Sequence, residues 1–462
     1  MGTVGISFGS PTAGTGFNVS DTVSQIVANL QNVEAPWKSQ LANLQSQDTA
    51  ISSLGSLLST LSNDVSQFTD FEGVLSQKEG SSSDTSVLAL TSASSSAVAG
   101  THTIVVNSLA ATSSGYLDEI ANSSDTLTGS ISIKVGSGAA HTITLDSGDN
   151  TLSGLAAAIN SAGIGVTAGI ISDTNGSRLS LVSGTSGTAG DLTVTSAITD
   201  SSTSTALDFN NAVSGANASL IVDGINVSSA SNTVSTVIPG VTFQLLATSP
   251  VTNGTPENIQ VQIVNDTASV TSSLDQFVSD YNSVVSAINA QEANTSSGTA
   301  APLFGTPTLT LLQEQILGSI NSENSQGDIG SITQLGITVN DDGTISLDSA
   351  TLNNELNSDY SGVVSFFQNP NSWGIDFSNT LNNLGTSNVT GTLALALSSD
   401  SATESTLNQN ISTENLLISS QQISLTEELT SADETLQAIP SNLDNINELY
   451  SAITGYQAPS VS

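Results

Sequence analysis

The stretch that decides the fold is the last long one, 425-LTEELTSADETLQAIPSNLDNINELYSAI-453. Its apolar residues are Leu425, Leu429, Ala432, Leu436, Ile439, Leu443, Ile446, Tyr450 and Ile453. They recur at alternating steps of four and three, the heptad period that keeps one seam turned toward a partner helix. Glu427, Glu428, Asp433, Glu434, Asp444 and Glu448 fall off the seam and make the outer face acidic. Near the other end of the chain, Leu41, Leu44, Ile51, Leu54, Leu58, Leu61, Val65 and Phe68 follow the same rule. One extra short step between Ile51 and Leu54 overwinds that helix locally. Each stretch would run roughly 40 Å at about 1.5 Å per residue. Matched helices at opposite ends of a chain imply a stalk, with everything between them an insertion. The alternative is two unrelated amphipathic helices, each on its own core.

Pro440 falls inside the terminal heptads, where a proline costs about 3 kcal/mol in a helix interior. The sequence therefore predicts a break there, with Ser441 capping a new helix and Asp444 completing its capping box.

A chain of 462 residues is long enough for several domains. Hydrophobic residues make up 37% of it but aromatics only 4%, so the cores are built from Val, Ile, Leu and Ala. Acidic residues number 41 against 4 basic ones, a formal net charge of −37. Nucleic-acid binding needs Lys and Arg to displace counterions from phosphate, and attraction to an anionic membrane surface needs them too; both are excluded as partners. No run approaches the ~20 apolar residues of a transmembrane helix, so membrane insertion is not expected. Cysteine is absent, which removes disulfides as a means of stabilisation. The opening MGTVGISFGSPTAGTGFNVS has neither the basic nor the apolar region of a signal peptide. An exported protein with such a start takes a route that does not read one.

Along the chain, residues 1–17 are Gly-, Ser- and Thr-rich and read as disordered in isolation. Asn18 or Ser20 caps a short helix, Pro36 redirects the chain, and a long helix is expected from about Lys38 to Phe71. From Ser81 the period changes to two. Strands are expected at 87–90, 101–106, 131–135, 142–145, 165–171, 178–182, 219–222, 241–246 and 259–264. A helix at 151–161 interrupts them, and a threonine-rich loop fills 196–215. The helical period returns at Asp266, with Val270, Leu274, Phe277, Tyr281, Val284 and Ile288 on one stripe. The fold class is thus α+β: long terminal α-helices forming a coiled-coil-like stalk, with nested β-rich head domains inserted between them. The expected domains are a terminal tail (1–40) that joins a C-terminal heptad helix (411–462), a helical stalk (41–83 and 266–410), a first β-rich head (84–115 and 216–265), and a second head inserted within it (116–215).

No catalytic constellation emerges. His102 and His141 lie in predicted strands without metal-ligand spacing to each other, so neither a metal nor a cofactor is expected. Asn340-Asp341-Asp342-Gly343 begins like a calcium loop, but the ligand positions at Thr338 and Ser349 carry no carboxylate, and a β-turn accounts for it.

Several stretches together resemble the flagellar filament cap (hook-associated protein 2) family. VEAPWKSQLANLQSQDTAISSLGSLLSTL is similar to its Ala-Pro turn and stalk helix, and SSSAVAGTHTIVVNSLA to its first head strand. TLSGLAAAINSAGIGVTAGIISDTNGSRLSLVS resembles the Ile-Asn repeat of flagellar axial proteins, and LGITVNDDGTISLDSATLNNEL the family's C-terminal region. The resemblance implies a structural, non-enzymatic cap at the distal tip of the bacterial filament, extracellular, retaining exported flagellin and promoting its polymerisation. The partners it implies are flagellin, further copies in a homo-oligomeric ring (a pentamer is one candidate size), the flagellar type III export apparatus and an export chaperone. A host or surface ligand for the heads is a further candidate partner. Alternatives are a hook-filament junction protein, a flagellin-like protein, or an adhesin. The oligomer and flagellin interface is expected on the seams: Leu41, Leu44, Ile51, Leu54, Leu58, Leu61 and Val65 with Leu425, Leu429, Leu436, Ile439, Leu443 and Ile446.

Overall fold

Asn18 starts the first helix by accepting a hydrogen bond from the Asp21 backbone N–H at 3.1 Å, which satisfies one of the orphan donors of a helix N-terminus. The computed structural model describes residues 14–293, 298–323 and 327–456. Its helices are α1 (Val19–Gln31), α2 (Ala35–Thr69), α3 (Leu152–Ser161), α4 (Thr267–Glu292), α5 (Pro307–Ile320), α6 (Ser349–Ser358), α7 (Tyr360–Gln368), α8 (Trp373–Leu384) and α9 (Thr392–Thr454). The chain divides into a helical unit, residues 1–69 and 273–462, and a β-rich unit, residues 70–272, inserted between those two segments in sequence. The fold class is α+β.

In the β-rich unit every strand pair is antiparallel. One core lies between a five-stranded sheet and a three-stranded sheet. The first runs in the order Lys78–Ser82, Ile259–Asn265, Gly100–Ser108, Ala218–Val222, Ile225–Ser229; the second contains Leu88–Ala93 and Val241–Leu245. Alternate residues Ile104, Val106, Leu220, Val261 and Ile263 fill it from one side and Leu88, Phe243 and Leu245 from the other, the period-two burial of a sheet with one wet face. The second core gathers Leu117, Ile131, Ile133, Leu179 and Leu181 around Leu152, Leu155 and Ile159 of α3. Thr151 caps α3 through the Gly154 N–H.

Three sequence expectations change here. Residues 78–82, placed with the stalk, form an edge strand whose Lys78 faces Asn265, because the period-two segment Ile259–Asn265 needs a partner on that side. The threonine-rich 196–215 is not a loop: Thr199–Asp200, Thr205–Ala206 and Phe209–Val213 all pair, the last with Thr112–Leu117. Threonine's β-branch fits a pleated, half-exposed surface. The long N-terminal helix begins at Ala35 rather than Lys38, with Pro36 in its first turn, where a missing N–H costs nothing.

The helical unit concentrates the few aromatics. Trp373 stacks on Phe366 at 5.2 Å and on Phe377 at 5.0 Å between ring centroids, while Phe68 of α2 stacks on Phe367 at 4.9 Å. The Trp373 indole N–H donates to the Ser319 carbonyl at 3.2 Å, so its polar edge is satisfied inside the core. Residues 373–406 hold α8 and the start of α9, which begins at Thr392. Phe377→Ala should cost about 3–5 kcal/mol, read as a lower denaturant midpoint, since Phe377 is fully buried against two rings. A loss under 1 kcal/mol would mean the cluster does not hold the unit together.

Candidate functional site

α9 is 63 residues long, about 95 Å at 1.5 Å per residue, and it is the spine of the candidate site. The N-terminal segments run antiparallel along it. Asp48 of α2 meets Asp400; Ile26 and Leu30 of α1 line a groove with Gln421, Leu425 and Glu428; the Phe17 N–H donates to Asp433 Oδ1 at 2.7 Å; and Gly14 lies against Pro440. Numbers fall on one side as they rise on the other.

This register corrects the expected pairing. Leu41, Leu44, Leu54, Leu58 and Leu61 do not pack on Leu429–Ile446; α1 lies on α9 at Gln421–Glu428 and the turn before it at Asp433–Pro440. Ile51, Leu54, Leu58, Leu61 and Val65 are instead buried in the core of the helical unit, where α2 packs on α7, α8 and the first part of α9. Leu41 and Leu44 are half-buried. The reason is chain length: a short helix of 13 residues precedes α2 and reaches the distal seam first.

The terminal seam grades from covered to open. Leu425, Leu429, Leu436 and Ile439 are half-buried. Beyond the turn at Gly14–Phe17, Leu443 is exposed, Ile446 is 61% exposed and Ile453 76%. Leu416, Leu417 and Ile423 are exposed as well, Leu416 at 72%. Reading the heptads alone missed these three, which stand off the a and d positions; their consecutive Leu-Leu and the isolated Ile in a polar run were the available signal. Val23, on the apolar face that the spacing gives the first helix, is buried, and so is Ile418 of α9.

Two local features hold the covering segment in place. Gly16 has φ +62°, and a Cβ there would fall 2.1 Å from Asp433 Oδ1, so only glycine fits both the backbone and the approach. Residues 14–17, expected to be disordered, form a turn on α9; residues 1–13 lie outside the described part. At the α1–α2 junction Glu34 is 0% exposed and its carboxylate sits 2.6 Å from the Lys38 ammonium, 58% exposed. Buried charge of this kind persists only with a partner.

Pro440 does not break α9, which runs unbroken to Thr454 without a new cap at Ser441. The prolyl ring instead packs against Gly14, a tertiary contact no helix-propensity argument includes. The His102 ring lies 2.7 Å from Asp223, whose Oδ1 accepts the Thr103 N–H, an arrangement that ties the Asp223–Gly224 turn to the neighbouring strand. Among the described residues, no group of three His, Asp or Glu side chains is placed to hold a metal ion, and no helix is long and apolar enough to cross a membrane.

An antiparallel helical spine with a graded apolar seam and an inserted β-rich unit defines a structural assembly protein, one whose working surface is a helix face. A family profile described as flagellar hook-associated protein 2 C-terminus matches residues 215–453, and its N-terminus counterpart matches residues 15–113. The B-type flagellar hook-associated protein 2 of Pseudomonas aeruginosa is 33% identical over 386 residues, covering 77% of this chain and 80% of that protein. The flagellar hook-associated protein 2 of Escherichia coli K12 is 26% identical over 382 residues, covering 77% and 79%. The crystal structure of the flagellar cap protein FliD D1-D2-D3 domains from Escherichia coli is similar in fold, with a TM-score of 0.58 at 24% identity over 76% of this chain and 99% of that one. The chain belongs to the flagellar hook-associated protein 2 family. Its function is that of a structural cap on the bacterial flagellar filament, acting on flagellin at the tip in filament growth and motility.

Pro440→Ala restores the missing amide and removes a cost of about 3 kcal/mol per interior proline. Amide exchange over 436–444 should then slow by roughly ten- to a hundredfold, as read by mass spectrometry. Unchanged exchange would show that the Gly14 contact already offsets the proline.

Proposed function

We propose that the cap engages flagellin and neighbouring copies of itself through the terminal seam, with the distal part of α9 as the leg surface. The observation that carries this reading is the exposure of Ile446 and Ile453 on a helix whose preceding seam residues are covered by α1. Apolar side chains at heptad spacing left open on a helix face are what a partner helix needs for knobs-into-holes packing. In this reading Leu425, Leu429, Leu436 and Ile439 set the register of the leg, and Leu443 and Ile446 make the intermolecular contact. Residues 41–69 and 273–410 serve as its base; Leu41, Leu44, Ile51, Leu54, Leu58, Leu61 and Val65 hold that base together. The two β-rich cores are then head domains, with 116–215 inserted in the first.

The working assembly is a ring of identical chains. Export through the flagellar type III apparatus with a chaperone belongs to the same reading. With a single lysine in the helical unit, salt bridges supply little of the seam contact, and apolar burial supplies most of it.

The test is complementation of a strain lacking this chain with Ile446→Asp combined with Ile453→Asp. Both positions are exposed, so the purified variant should melt with the parent protein. Filaments should be short, motility lost, and monomeric flagellin released into the medium. Full motility with normal filaments would overturn the assignment of this surface.

A further inference from the structure

The helical unit holds carboxyl groups that the seam does not use. Asp64 of α2 is in hydrogen-bonding contact with Asp280 of α4, and its Oδ2 is sealed from solvent with no donor on it. Further along α2, Asp48 is in hydrogen-bonding contact with Asp400 of α9, with Glu404 one turn away on the same helix. Asp48 Oδ1 and Glu404 Oε1 are also sealed and without a donor. No cation offsets them. Lys38 is the only basic residue in the sequence of this unit, and it is engaged by Glu34. Two carboxyl groups in contact repel each other when both ionise, which favours a state in which a proton is held between Asp64 and Asp280. Each contact joins two helices.

We propose that Asp64–Asp280 is a proton-held clasp between α2 and α4 of the helical unit, closed by one shared proton and loosened when that proton is lost. Burial, then the hydrogen bond and charge of Asp280, push the Asp64 carboxyl from the ordinary 3.8 up to about 7. Burial, then Asp48 and Glu404, push Asp400 upward. Asp280 is the charged group acting on Asp64 among the described residues, and Asp48 and Glu404 are those acting on Asp400. The direction of the pH effect follows from these raised values. In the unfolded chain an aspartate titrates near ~3.9, so across the window from about 4 to about 7 the folded unit binds more protons than the unfolded one. Folding stability is therefore greatest at the acid end of that window and falls as the pH rises through it.

The experiment uses the full-length protein. Melting temperature and amide exchange of the 61–68 segment are measured at pH 5 and pH 8 for the parent, Asp64→Asn and Asp280→Asn. The parent is expected to melt about 3–6 °C lower at the higher pH and to exchange faster there. Asn at either position supplies a permanent donor, so each variant should lose most of that difference by gaining stability at pH 8. The two variants probe one clasp from opposite helices, so failure of one to fold leaves the other decisive. The Asp64 carboxyl carbon should titrate near pH 7 by NMR. A midpoint below about 5, or the parental pH difference persisting in the folded variant, would overturn the proposal.

Discussion

Everything in this protein is built under a shortage of positive charge. With 41 acidic residues and 4 basic ones, carboxylates must be placed without counterions. Several aspartates are accommodated by backbone N–H groups. Asp348 accepts from the Ala350 N–H at the start of α6 and Asp359 from the Gly362 N–H at the start of α7, positions where the helix terminus offers orphan donors and a favourable dipole. Asp342 and Asp173 do the same for tight turns; the Thr344 hydroxyl and then its N–H hold Asp342 below the usual range, and the Asn175 and Gly176 N–H groups hold Asp173 there. Such groups contribute stability above their unfolded pKa and lose it as the pH falls through the folded one. The interhelical pair Asp64–Asp280 works in the opposite sense.

Because ion pairs cannot align the long helices, apolar burial and register do so. The helical unit solves this with two different materials. Its base is packed like a domain core, with aromatic rings stacked between α2, α7 and α8. Its distal part is a thin seam covered by one short helix, and it ends open. That gradient suits a protein whose terminal helix must stay soluble yet offer an apolar face to a partner: a fully buried seam would have nothing left to bind with, and a fully exposed one would invite unspecific association.

The sequence was most legible where a single period ran long. The heptads of 425–453, the alternation of Thr101–Val106 and the hairpin 131–145 each carry their own signal, because one face must be buried whatever the partner is. Asn18 announced its helix by cap chemistry. The region 373–406 gave no such signal: α8 is a short helix whose Trp373 and Phe377 are defined by contacts with distant segments. Edge strand Lys78–Ser82 has too few apolar residues to show a period, and exists because Ile259–Asn265 needs a neighbour.

By itself the sequence determined the α+β class, the terminal helices, the inserted strands and the resemblance to a flagellar cap family. These depend on periodicity, composition and local motifs, which are properties of neighbouring residues. Only the tertiary structure decided which residues face α9. Register along an antiparallel pair is fixed by the length of the segments between, and by contacts such as Gly16 on Asp433 and Gly14 on Pro440. The same contacts carried α9 through a proline that local propensity reads as a stop. Pairing of Asp64 with Asp280 was equally invisible, since the two lie more than two hundred residues apart and meet only once the helices pack.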